Sequence, residues 1–474
     1  MLAIAAHPAP ITQIDQVDTV GQNIHRRPSV VLANELGGHS TPQDVIEKLV
    51  SNELLDSTRR ASAVLADLLS ANAQAFAANE LSKQTGARCQ EGQPHICVVG
   101  VGYVGEILLR EFGNVFPAIG FDISQKRLAE IENDFADLKE VRLTSDTSLL
   151  KEATHFCISV PTLLRDDRSV NADHLKRAIE MVTTHAQPGS TIVIESSVSV
   201  GMTRSLLGPY ASKFHCGMSP ERVDPGRTLP AAHDIPKIIS ALTKPAMERM
   251  NAVYSKAFRT VVRVSKPEVA EMTKLFENCY RMINIAYVNE VADACRKQDI
   301  DVYELVQAAS TKPFGFQSFQ PGLGVGGHCI PINPFYLMAN NELPLLRQAT
   351  ENMWTRPAMQ AREFLAECRR NSPAPRVLIV GMGFKPGQRV TDCSPSVAFA
   401  QELVELGCRD LQFYDPLVEQ SQLPWIRRMS DADFKSHSIE SEFDSVAVCM
   451  KQVDVDWTAL SALTQTQVQW FVQK

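Results

Sequence analysis

The sequence predicts an α/β protein in which two doubly wound parallel sheets are joined by a central helical segment. Three observations carry this prediction. Short apolar runs alternate with helical patterns over residues 93–265, and the alternation returns over 371–474. Between these parts, residues 267–312 show helical patterns without a strand signal. A glycine-containing turn follows the first apolar run of each α/β part, which is typical of Rossmann-like sheets.

Residues 1–92 form an extension ahead of the first predicted strand. Residues 1 to about 40 mix Pro, Gly, Gln and His without periodicity, which predicts a flexible tail. Thr41, Pro42 and Asp44 then give a helix start signal, and apolar residues recur at helical spacing over 42–83. This helical segment either packs on the body of the protein or binds a partner, and its apolar stripe favours packing.

The first α/β part, residues 93–265, begins with HICVVGVGYVGEILLREFG (95–113), which predicts a strand, a glycine turn and a helix. Further buried strands are predicted in PAIGFDIS, HFCISVPT and STIVIESSV, with a helix over 172–186. The alternation predicts a Rossmann-like dinucleotide-binding domain.

The turn after the first strand carries the glycine pattern that binds a dinucleotide. Gly100 permits the tight turn, Gly102 lets the backbone approach a pyrophosphate, and Gly105 lets helix and strand pack closely. The helix N-terminus presents unpaired N–H groups to the phosphates. Asp122 closes the next strand, where a carboxylate accepts hydrogen bonds from ribose hydroxyls and disfavours a 2′-phosphate. The cofactor predicted is therefore NAD.

The middle of the chain, residues 266–370, is predicted to be a helical segment. Pro267 opens a long helical stretch, and DVYELVQAAS predicts a second helix. The second α/β part, 371–474, starts with RVLIVGMGF, and LQFYDP and SVAVCM predict its later strands. Its turn has Gly381 and Gly383 but Pro386 where a third glycine belongs, so a similar fold without its own dinucleotide is predicted.

Composition and charge exclude several classes of function. The net charge of −7 argues against a nucleic-acid binder, and no run of about 18 apolar residues predicts a membrane span. The N-terminus lacks the regions of a signal peptide. Eleven cysteines lie scattered, without a CxxC pair or zinc-like spacing. These features predict a cytoplasmic protein with free thiols, no metal site, and no nucleic-acid or membrane partner.

Eight motifs in a fixed order identify a family resemblance. They are GVGYVG (100–105), SVPT (159–162), ESSVSVGMTR (195–204), SPERVDPG (219–226), KLFEN (274–278), KPFGF (312–316), GVGGHCIP (324–331) and KPGQRVTDCSP (385–395). Together they resemble the UDP-glucose/GDP-mannose dehydrogenase family over about residues 94 to 455. The SPER, KPFGF and GGHCIP forms are most similar to the branch that oxidises UDP-N-acetylhexosamines, particularly UDP-N-acetylglucosamine 6-dehydrogenases. Residues 1 to about 90 match nothing in the family.

The resemblance implies that a primary alcohol at C6 of a UDP-sugar becomes a carboxylate while two NAD molecules are reduced. Cys329 would trap the aldehyde as a thiohemiacetal, and the second hydride transfer would make a thioester that water releases. Lys274 and Asn278 share one helix face and would stabilise the oxyanion of the tetrahedral steps. Glu221 corresponds to the acid/base glutamate of the family.

The resemblance also implies contacts with both ligands. Cofactor contacts beyond the glycines and Asp122 are implied for Tyr103, Val104, Arg127, Thr162 and Ser197. Substrate contacts are implied for Gly324, Gly326, Gly327 and Lys385, with the glycines letting the loop backbone approach the sugar. The long helix would carry the contact of a homodimer or a higher homo-oligomer.

Three departures from the family pattern bear on activity. Asn333 stands where the family has an aspartate, and an amide holds a hydrogen bond but cannot take a proton at neutral pH. Asp392 stands where relatives place an arginine on the cofactor phosphates, with Arg389 nearby as a candidate substitute. The chain ends at VQWFVQK, where relatives continue with a strand and a substrate-contacting arginine, so we expect a last strand that is cut short.

Three functions stay open on these observations. An active, slow NAD-dependent nucleotide-sugar 6-dehydrogenase is favoured, because the cofactor turn and Cys329 are intact. A catalytically impaired relative that acts by binding, as a scaffold or regulatory subunit, is the alternative from another class. A dehydrogenase redirected to a non-nucleotide alcohol is the third.

Overall fold

The computed structural model describes residues 93–474 except Pro225, Gly226 and Thr228. The tail predicted before residue 41 and the helix predicted over 42–83 lie outside the described residues.

The described elements alternate as the sequence predicts. The strands are β1 Ile96–Val99, β2 Ala118–Phe121, β3 Val141–Thr144, β4 His155–Ile158, β5 Leu163–Leu164, β6 Val170–Asn171, β7 Thr191–Ile194, β8 His215–Met218, β9 Lys237–Ala241, β10 Val261–Arg263, β11 Val377–Val380, β12 Leu411–Tyr414, β13 Arg427–Arg428, β14 Ser445–Val448 and β15 Gln467–Trp470. The α-helices are α1 Tyr103–Gly113, α2 Gln125–Ile131, α3 Asp173–His185, α4 Met202–Leu207, α5 Lys244–Ala257, α6 Pro267–Arg296, α7 Val302–Ser310, α8 Asn333–Met338, α9 Pro344–Asn371, α10 Pro395–Glu405, α11 Ser436–Glu442 and α12 Thr458–Ser461.

The first sheet has the strand order β10-β9-β8-β7-β4-β1-β2-β3. The chain reverses its direction of winding between β1 and β4, which confirms the doubly wound fold and opens a crevice at the carboxyl ends of these strands. Both faces of the sheet are covered by apolar side chains. In β4, for example, Phe156 and Ile158 pack into one layer and Cys157 packs into the other.

The far edge of this sheet departs from the predicted all-parallel pattern. β9 pairs antiparallel with β8, and β10 then pairs parallel with β9. The sequence predicts no strand here, because Lys237 and Ser240 break the apolar pattern of β9. The reversal matters for function, since it brings the first residue of β9 to the edge where β7 and β8 end.

The second sheet is smaller and fully parallel, with the order β13-β12-β11-β14-β15. The segment expected to be a cut-short strand is β15, which pairs with β14 along all four of its residues. Phe471 follows it into the apolar core of this domain.

The central helices lie between the two sheets in the chain. Helix α6 begins at Pro267, as the sequence predicts, and packs against α8 and the 28-residue α9. Leu275, Met282, Tyr336 and Met353 form part of the apolar cluster that holds these three helices together. The loop that carries Cys329 leads into α8 and is therefore anchored to α6. Among the described helices none is long and apolar enough to cross a membrane.

Candidate active site

The first glycine turn joins β1 to α1 at the crevice of the large sheet. Gly100 has a φ of +89°, a conformation that other residues rarely adopt. A Cβ at Gly105 would lie 1.8 Å from the carbonyl oxygen of Gly100, so only glycine permits this helix–strand contact. A Cβ at Gly102 would meet nothing within 4 Å, because its backbone faces open space. The turn therefore has room for a phosphate at the helix N-terminus.

Asp122 follows β2 and is held by the glycine turn. Its Oδ2 accepts a hydrogen bond from the backbone N–H of Val101 at 3.0 Å, and its Oδ1 accepts from Ser124 at 2.9 Å. Arg127 braces the same turn, since its Nε donates to the carbonyl oxygen of Val101 at 2.8 Å and its guanidinium pairs with Glu106. The structure thus brings Asp122 and Arg127 to the turn.

A cavity of about 440 Å³ opens beside this turn. Its walls are largely apolar and include Phe121, Ile123 and Val160, with Asp122 and Arg177 as charged members. An apolar slot that meets a carboxylate and a glycine turn fits the adenosine half of a dinucleotide.

The other residues with an implied cofactor contact lie around this turn. The Thr162 hydroxyl donates to the carbonyl oxygen of Ser197 at 2.8 Å, so these two residues are joined across the crevice. Val104 packs against the core layer below α1. Tyr103 is 43% exposed and lines a second cavity, described below. Since Gly102 lines the first cavity and Tyr103 the second, the two cavities are neighbours at one edge of the sheet.

An Asp122→Ala variant should bind NAD about 10- to 100-fold more weakly, because it loses a charged acceptor for the ribose and two bonds that shape the turn. Its discrimination against NADP should fall in parallel. Titration calorimetry with both cofactors checks this, with Asp137→Ala as an exposed carboxylate control. Equal NAD affinity in the variant and the natural chain would contradict the assignment.

The second glycine turn, after β11, is filled by its own chain. The Asp415 carboxylate accepts from the backbone N–H groups of Met382 and Gly383, as Asp122 does in the first turn, but Asp415 is fully buried. A Cβ at Gly383 would lie 2.4 Å from the carbonyl oxygen of Gln388. This turn leaves no room for a second dinucleotide.

Cys329 lies at a second cavity, of about 570 Å³. Residues from both α/β parts and from the central segment form its wall. They are Tyr103, Val223, Asp224, Arg281, Ile285, Phe319, Gly324, Val325, Gly326, Gly327, His328, Cys329, Ile330, Phe384, Lys385, Gln388 and Val390. The half-buried thiol follows the glycine loop, and its carbonyl oxygen accepts from the N–H of Asn333 at 2.9 Å, which starts α8.

Three side chains form a chain of hydrogen bonds that begins at Arg281 in this wall. The Arg281 guanidinium donates to Oδ1 of Asn278, and Nδ2 of Asn278 donates to Oδ1 of Asn333. Both asparagines are buried. Sequence reasoning missed Arg281, although it follows Lys274 by seven residues and Asn278 by three, which places it on the same helix face.

Lys274 is buried on the same face of α6, with 7% of its surface exposed. Burial lowers the pKa of its ammonium, which the charges of Cys329 and Glu221 partly oppose. The Lys274 ammonium therefore lies close enough to Cys329 and Glu221 for their charges to affect its pKa. A desolvated lysine in this position can stabilise an oxyanion that forms at the cavity.

Glu221 follows β8 and is held at three points. Its Oε1 accepts from the N–H groups of Arg222 at 2.7 Å and Val223 at 3.0 Å, and its Oε2 accepts from the ammonium of Lys237 at 2.6 Å. Burial alone would raise the pKa of Glu221, but the Lys237 charge and these hydrogen bonds hold it below the usual value. Glu221 is therefore an ionised carboxylate beside Lys274.

The loop glycines have a structural reason that the sequence analysis did not foresee. A Cβ at Gly326 would lie 2.9 Å from the carbonyl oxygen of Cys393, and a Cβ at Gly327 would lie 2.6 Å from the ring of Phe384. Gly324 approaches Pro357 in the same way. These glycines let the second α/β part pack directly on the Cys329 loop. Their expected contact with a sugar stays a prediction.

Lys385 lines the cavity opposite this loop. Its ammonium pairs with the carboxylate of Asp224 at 3.0 Å, and the Tyr103 hydroxyl donates to the carbonyl oxygen of Asp224 at 3.4 Å. Asp224 was also missed by sequence reasoning. The pair links the two α/β parts across the cavity and places a cation on its wall.

Asp392, the second departure, lies at the surface near His328. The Oδ2 of Asp392 is 3.7 Å from Nε2 of His328, and both side chains are more than half exposed. Arg389 is exposed as well, and its neighbours Gln388 and Val390 form the cavity wall instead. The position of Arg389 gives no support to its role as a substitute for the missing arginine. Within the described residues no group of three or more His, Cys, Asp or Glu could hold a metal ion.

Comparison with protein families gives matches over most of the described chain. Residues 94–258 match the UDP-glucose/GDP-mannose dehydrogenase family, NAD binding domain. Residues 268–352 match the central domain of the same family.

Individual relatives agree with this result. A UDP-N-acetyl-D-glucosamine 6-dehydrogenase of Pseudomonas aeruginosa is 31% identical over 352 residues, covering 68% of this chain and 83% of the relative. One from Salmonella typhi is 29% identical, covering 75% of this chain and 89% of the relative. Among solved structures, the UDP-D-ManNAc dehydrogenase of Pyrococcus horikoshii has a similar fold, with a TM-score of 0.72 and 24% identity over 80% of this chain and 95% of its own.

Proposed function

The chain belongs to the UDP-glucose/GDP-mannose dehydrogenase family, and from that premise we propose that it oxidises the C6 alcohol of a UDP-sugar to the carboxylate. The observation that carries the proposal is the meeting of Cys329, Lys274 and Glu221 beside the cofactor crevice. A thiol, a buried cation and an ionised carboxylate are the groups that an aldehyde-trapping oxidation requires.

NAD binds at the first glycine turn, within the NAD-binding domain that the family match defines. Its pyrophosphate would lie against the N-terminus of α1, and Asp122 would accept from its ribose. Bound NAD supplies the acceptor for each hydride that leaves the sugar carbon. The protein supplies the position, since the Cys329 cavity adjoins the cofactor cavity at Tyr103.

Cys329, Lys274 and Glu221 each have a separate role in the oxidation of the sugar. Loss of the first hydride and of the hydroxyl proton leaves an aldehyde, which the Cys329 sulfur attacks to form a thiohemiacetal. The ammonium of Lys274 stabilises the oxyanion of this tetrahedral centre. Loss of the second hydride and the second hydroxyl proton leaves a thioester. Glu221, ionised and fixed, is the proton acceptor for these steps.

Hydrolysis of the thioester is the step that Asn333 slows. Water must add to the thioester carbon, lose a proton and expel the thiol, which restores Cys329. Asn333 accepts a hydrogen bond from Asn278 and begins α8 directly behind Cys329, but its amide cannot take the proton from water. We therefore expect an acyl-enzyme on Cys329 to accumulate.

The substrate is a UDP-sugar of the UDP-N-acetylglucosamine or UDP-glucose type. The relatives named above are dehydrogenases of UDP-N-acetylhexosamines. In this chain Lys385 supports the choice of a UDP-sugar. Its ammonium lies on the cavity wall, where it can bind the diphosphate of the substrate in place of the Asp224 carboxylate.

A direct assay tests the proposal. Purified protein is mixed with NAD and a panel of UDP-sugars, and NADH and sugar acid are measured together. The proposal predicts slow NADH formation with two NADH per acid at completion. No NADH with any UDP-sugar, in protein shown by calorimetry to bind NAD, would refute it.

A catalytically impaired protein that acts by binding is the second candidate. Asn333 and the exposed Asp392 favour it, because the amide of Asn333 cannot accept a proton and Asp392 is an anion where the family resemblance implies an arginine. This candidate predicts binding of NAD or of a UDP-sugar without turnover. The same assay therefore separates the two functions.

A homodimer through α6 is proposed from its exposed apolar stripe. Met272, Phe276, Tyr280 and Tyr287 are exposed and lie on one face of this helix. Apolar side chains in a continuous row on a protein surface mark an interaction site, and here a second copy of the chain is the proposed partner.

The Phe276→Asp variant should convert the dimer to a monomer, because it places a charge within the exposed stripe that the dimer would bury. Light scattering during size-exclusion chromatography measures the mass against the 52.4 kDa of one chain. Val404→Asp, on the exposed side of α10, is the matched control and should leave the dimer intact. A natural chain that is monomeric at all concentrations would sink the dimer proposal.

A further inference from the structure

A buried ion cluster lies directly beneath Glu221. The ammonium of Lys237 contacts Oε2 of Glu221 at 2.6 Å and Oε2 of Glu195 at 2.7 Å. The exposed fractions are 3% for Lys237, 1% for Glu195 and 8% for Glu221. Of the three, Glu221 alone was predicted to act in the site.

The reversed direction of β9 explains how a lysine reaches this place. Met218 pairs with Ser240 where β8 and β9 run antiparallel. Continuing this register past the end of β8 sets Lys237 opposite Glu221. A parallel β9 would instead put its first residue at the far edge of the sheet, away from the site. The antiparallel direction of β9 therefore places the Lys237 ammonium at the edge of the sheet where Glu221 lies.

The cluster continues away from the cavity and ends in the core. The Tyr254 hydroxyl donates to Oε1 of Glu195, and it also lies 3.6 Å from the sulfur of Cys157. Tyr254 and Cys157 are both buried. The burial of all these side chains suits a cluster that sets the charge of Glu221 better than a path for protons to solvent.

Two lysines thus favour a charged Glu221. Lys237 faces it from β9 and Lys274 from α6, and both favour the ionised form. Glu195 shares the Lys237 ammonium, and its own pKa is raised to about 7 by burial and by the neighbouring Glu221, with Lys237 pulling it down. The Arg222 guanidinium is occupied by Glu277 at 2.5 Å.

A contribution to the stability of the fold is a weak explanation for burying these three charged side chains together. Burying one ammonium with two carboxylates costs desolvation energy that apolar side chains of similar size would avoid. Lys237 is the charged residue of strand β9, whose Ile238 and Ile239 lie in the two core layers. A charged first residue at this place therefore calls for a reason beyond stability.

We propose that Lys237 is a positioning residue that keeps Glu221 ionised and fixed behind the Cys329 cavity. The inference rests on the proposed function, in which Glu221 accepts protons during oxidation of the sugar. In this proposal, a lysine that does not contact the substrate sets the lowest pH at which the enzyme is active.

The pH dependence of kcat/KM tests the proposal by the shift of its acid limb. A base is active when ionised, so activity falls as pH drops through its pKa. Lys237→Met leaves Glu221 without its cation, and the acid limb should move up by at least about one pH unit. Glu195, with a pKa of about 7, is already neutral at the pH of this limb, so Glu195→Gln should leave the limb in place.

Rescue and control variants separate positioning from stability. Lys237→Arg keeps the charge and should return the acid limb towards that of the natural chain. Lys256→Met and Glu248→Gln, exposed residues of the neighbouring helix α5, should leave it unchanged. A fall in kcat/KM for Lys237→Met with an unchanged acid limb would show a structural role and overturn the proposal. If Lys237→Met does not fold, the Glu195→Gln/Lys237→Met double variant, which leaves one buried carboxylate instead of two without a cation, decides by the same upward shift relative to Glu195→Gln.

Infrared spectroscopy gives a second readout that needs no turnover. In a Glu195→Gln background, the further change Lys237→Met should raise, by at least about one pH unit, the pH at which the carbonyl stretch of a protonated buried carboxyl appears. Adding Glu221→Gln should remove that band. A protein without dehydrogenase activity that still shows this rise would refute the proposed function and keep the charge assignment. A band with the same pH dependence with and without Lys237 would overturn the assignment itself.

Discussion

An Asn333→Asp variant should oxidise its UDP-sugar about 10²-fold faster than the natural chain, since a positioned general base contributes at least about this factor. The site can accept the carboxylate. Nδ2 of Asn278 already donates to the oxygen that Asp would keep, and the Arg281 guanidinium is bound to the other end of the same amide. Lys274 adds a second cation nearby, on the same helix face. The new carboxylate would therefore be ionised and ready to take a proton from water.

Steady-state NADH formation and single-turnover acid release measure this change. If hydrolysis is the slow step, the rate of acid release should rise while the first NADH burst keeps its rate. Asn352→Asp, an exposed residue of α9, is the matched control. An Asn333→Asp variant as slow as the natural chain, with NAD and substrate both bound, would argue for the binding protein rather than the enzyme.

Cys329→Ala should lower the rate of sugar-acid formation by at least about 10³-fold, because removal of a covalent nucleophile leaves only binding and electrostatic terms. The cavity and Lys274 remain, so any residual oxidation should stop at the aldehyde and give one NADH per sugar. The ratio of NADH to acid therefore reports the role of the thiol more sharply than the rate alone.

Quantifying NADH, aldehyde and acid in one reaction checks this expectation. Cys393→Ser is the control, since this thiol is exposed and lies outside the residues that line the cavity. Equal acid formation by Cys329→Ala would remove the thiol from the mechanism. Equal loss in Cys393→Ser would point to damage of the loop instead.

The cofactor half of the molecule was predictable because its signals are local. Strand β1, the glycine turn and helix α1 follow one another within about 20 residues, so spacing alone places the turn at a helix N-terminus. The start of α6 at Pro267 was predictable for the same reason. Helix α9 was not, since Pro357 lies within it and proline normally marks a break.

The catalytic half was predictable only through the family motifs. The helical spacing of Lys274 and Asn278 indicates a shared face, and the same spacing could have added Arg281. The contact between Lys237 and Glu221 was beyond reach, because it depends on the direction of β9, which is a long-range property of the sheet. The packing of the loop glycines on Phe384 and Cys393 likewise joins segments about 60 residues apart in the chain.

Mass spectrometry of the protein after incubation with NAD and each UDP-sugar tests the central claim, that Cys329 carries a covalent intermediate whose release Asn333 slows. We expect an added mass equal to the nucleotide-sugar acid less one water, as a thioester requires, on the peptide that contains Cys329, and its disappearance in Cys329→Ala and in Asn333→Asp. Formation of sugar acid with no adduct on Cys329, or an adduct on another cysteine, would contradict it.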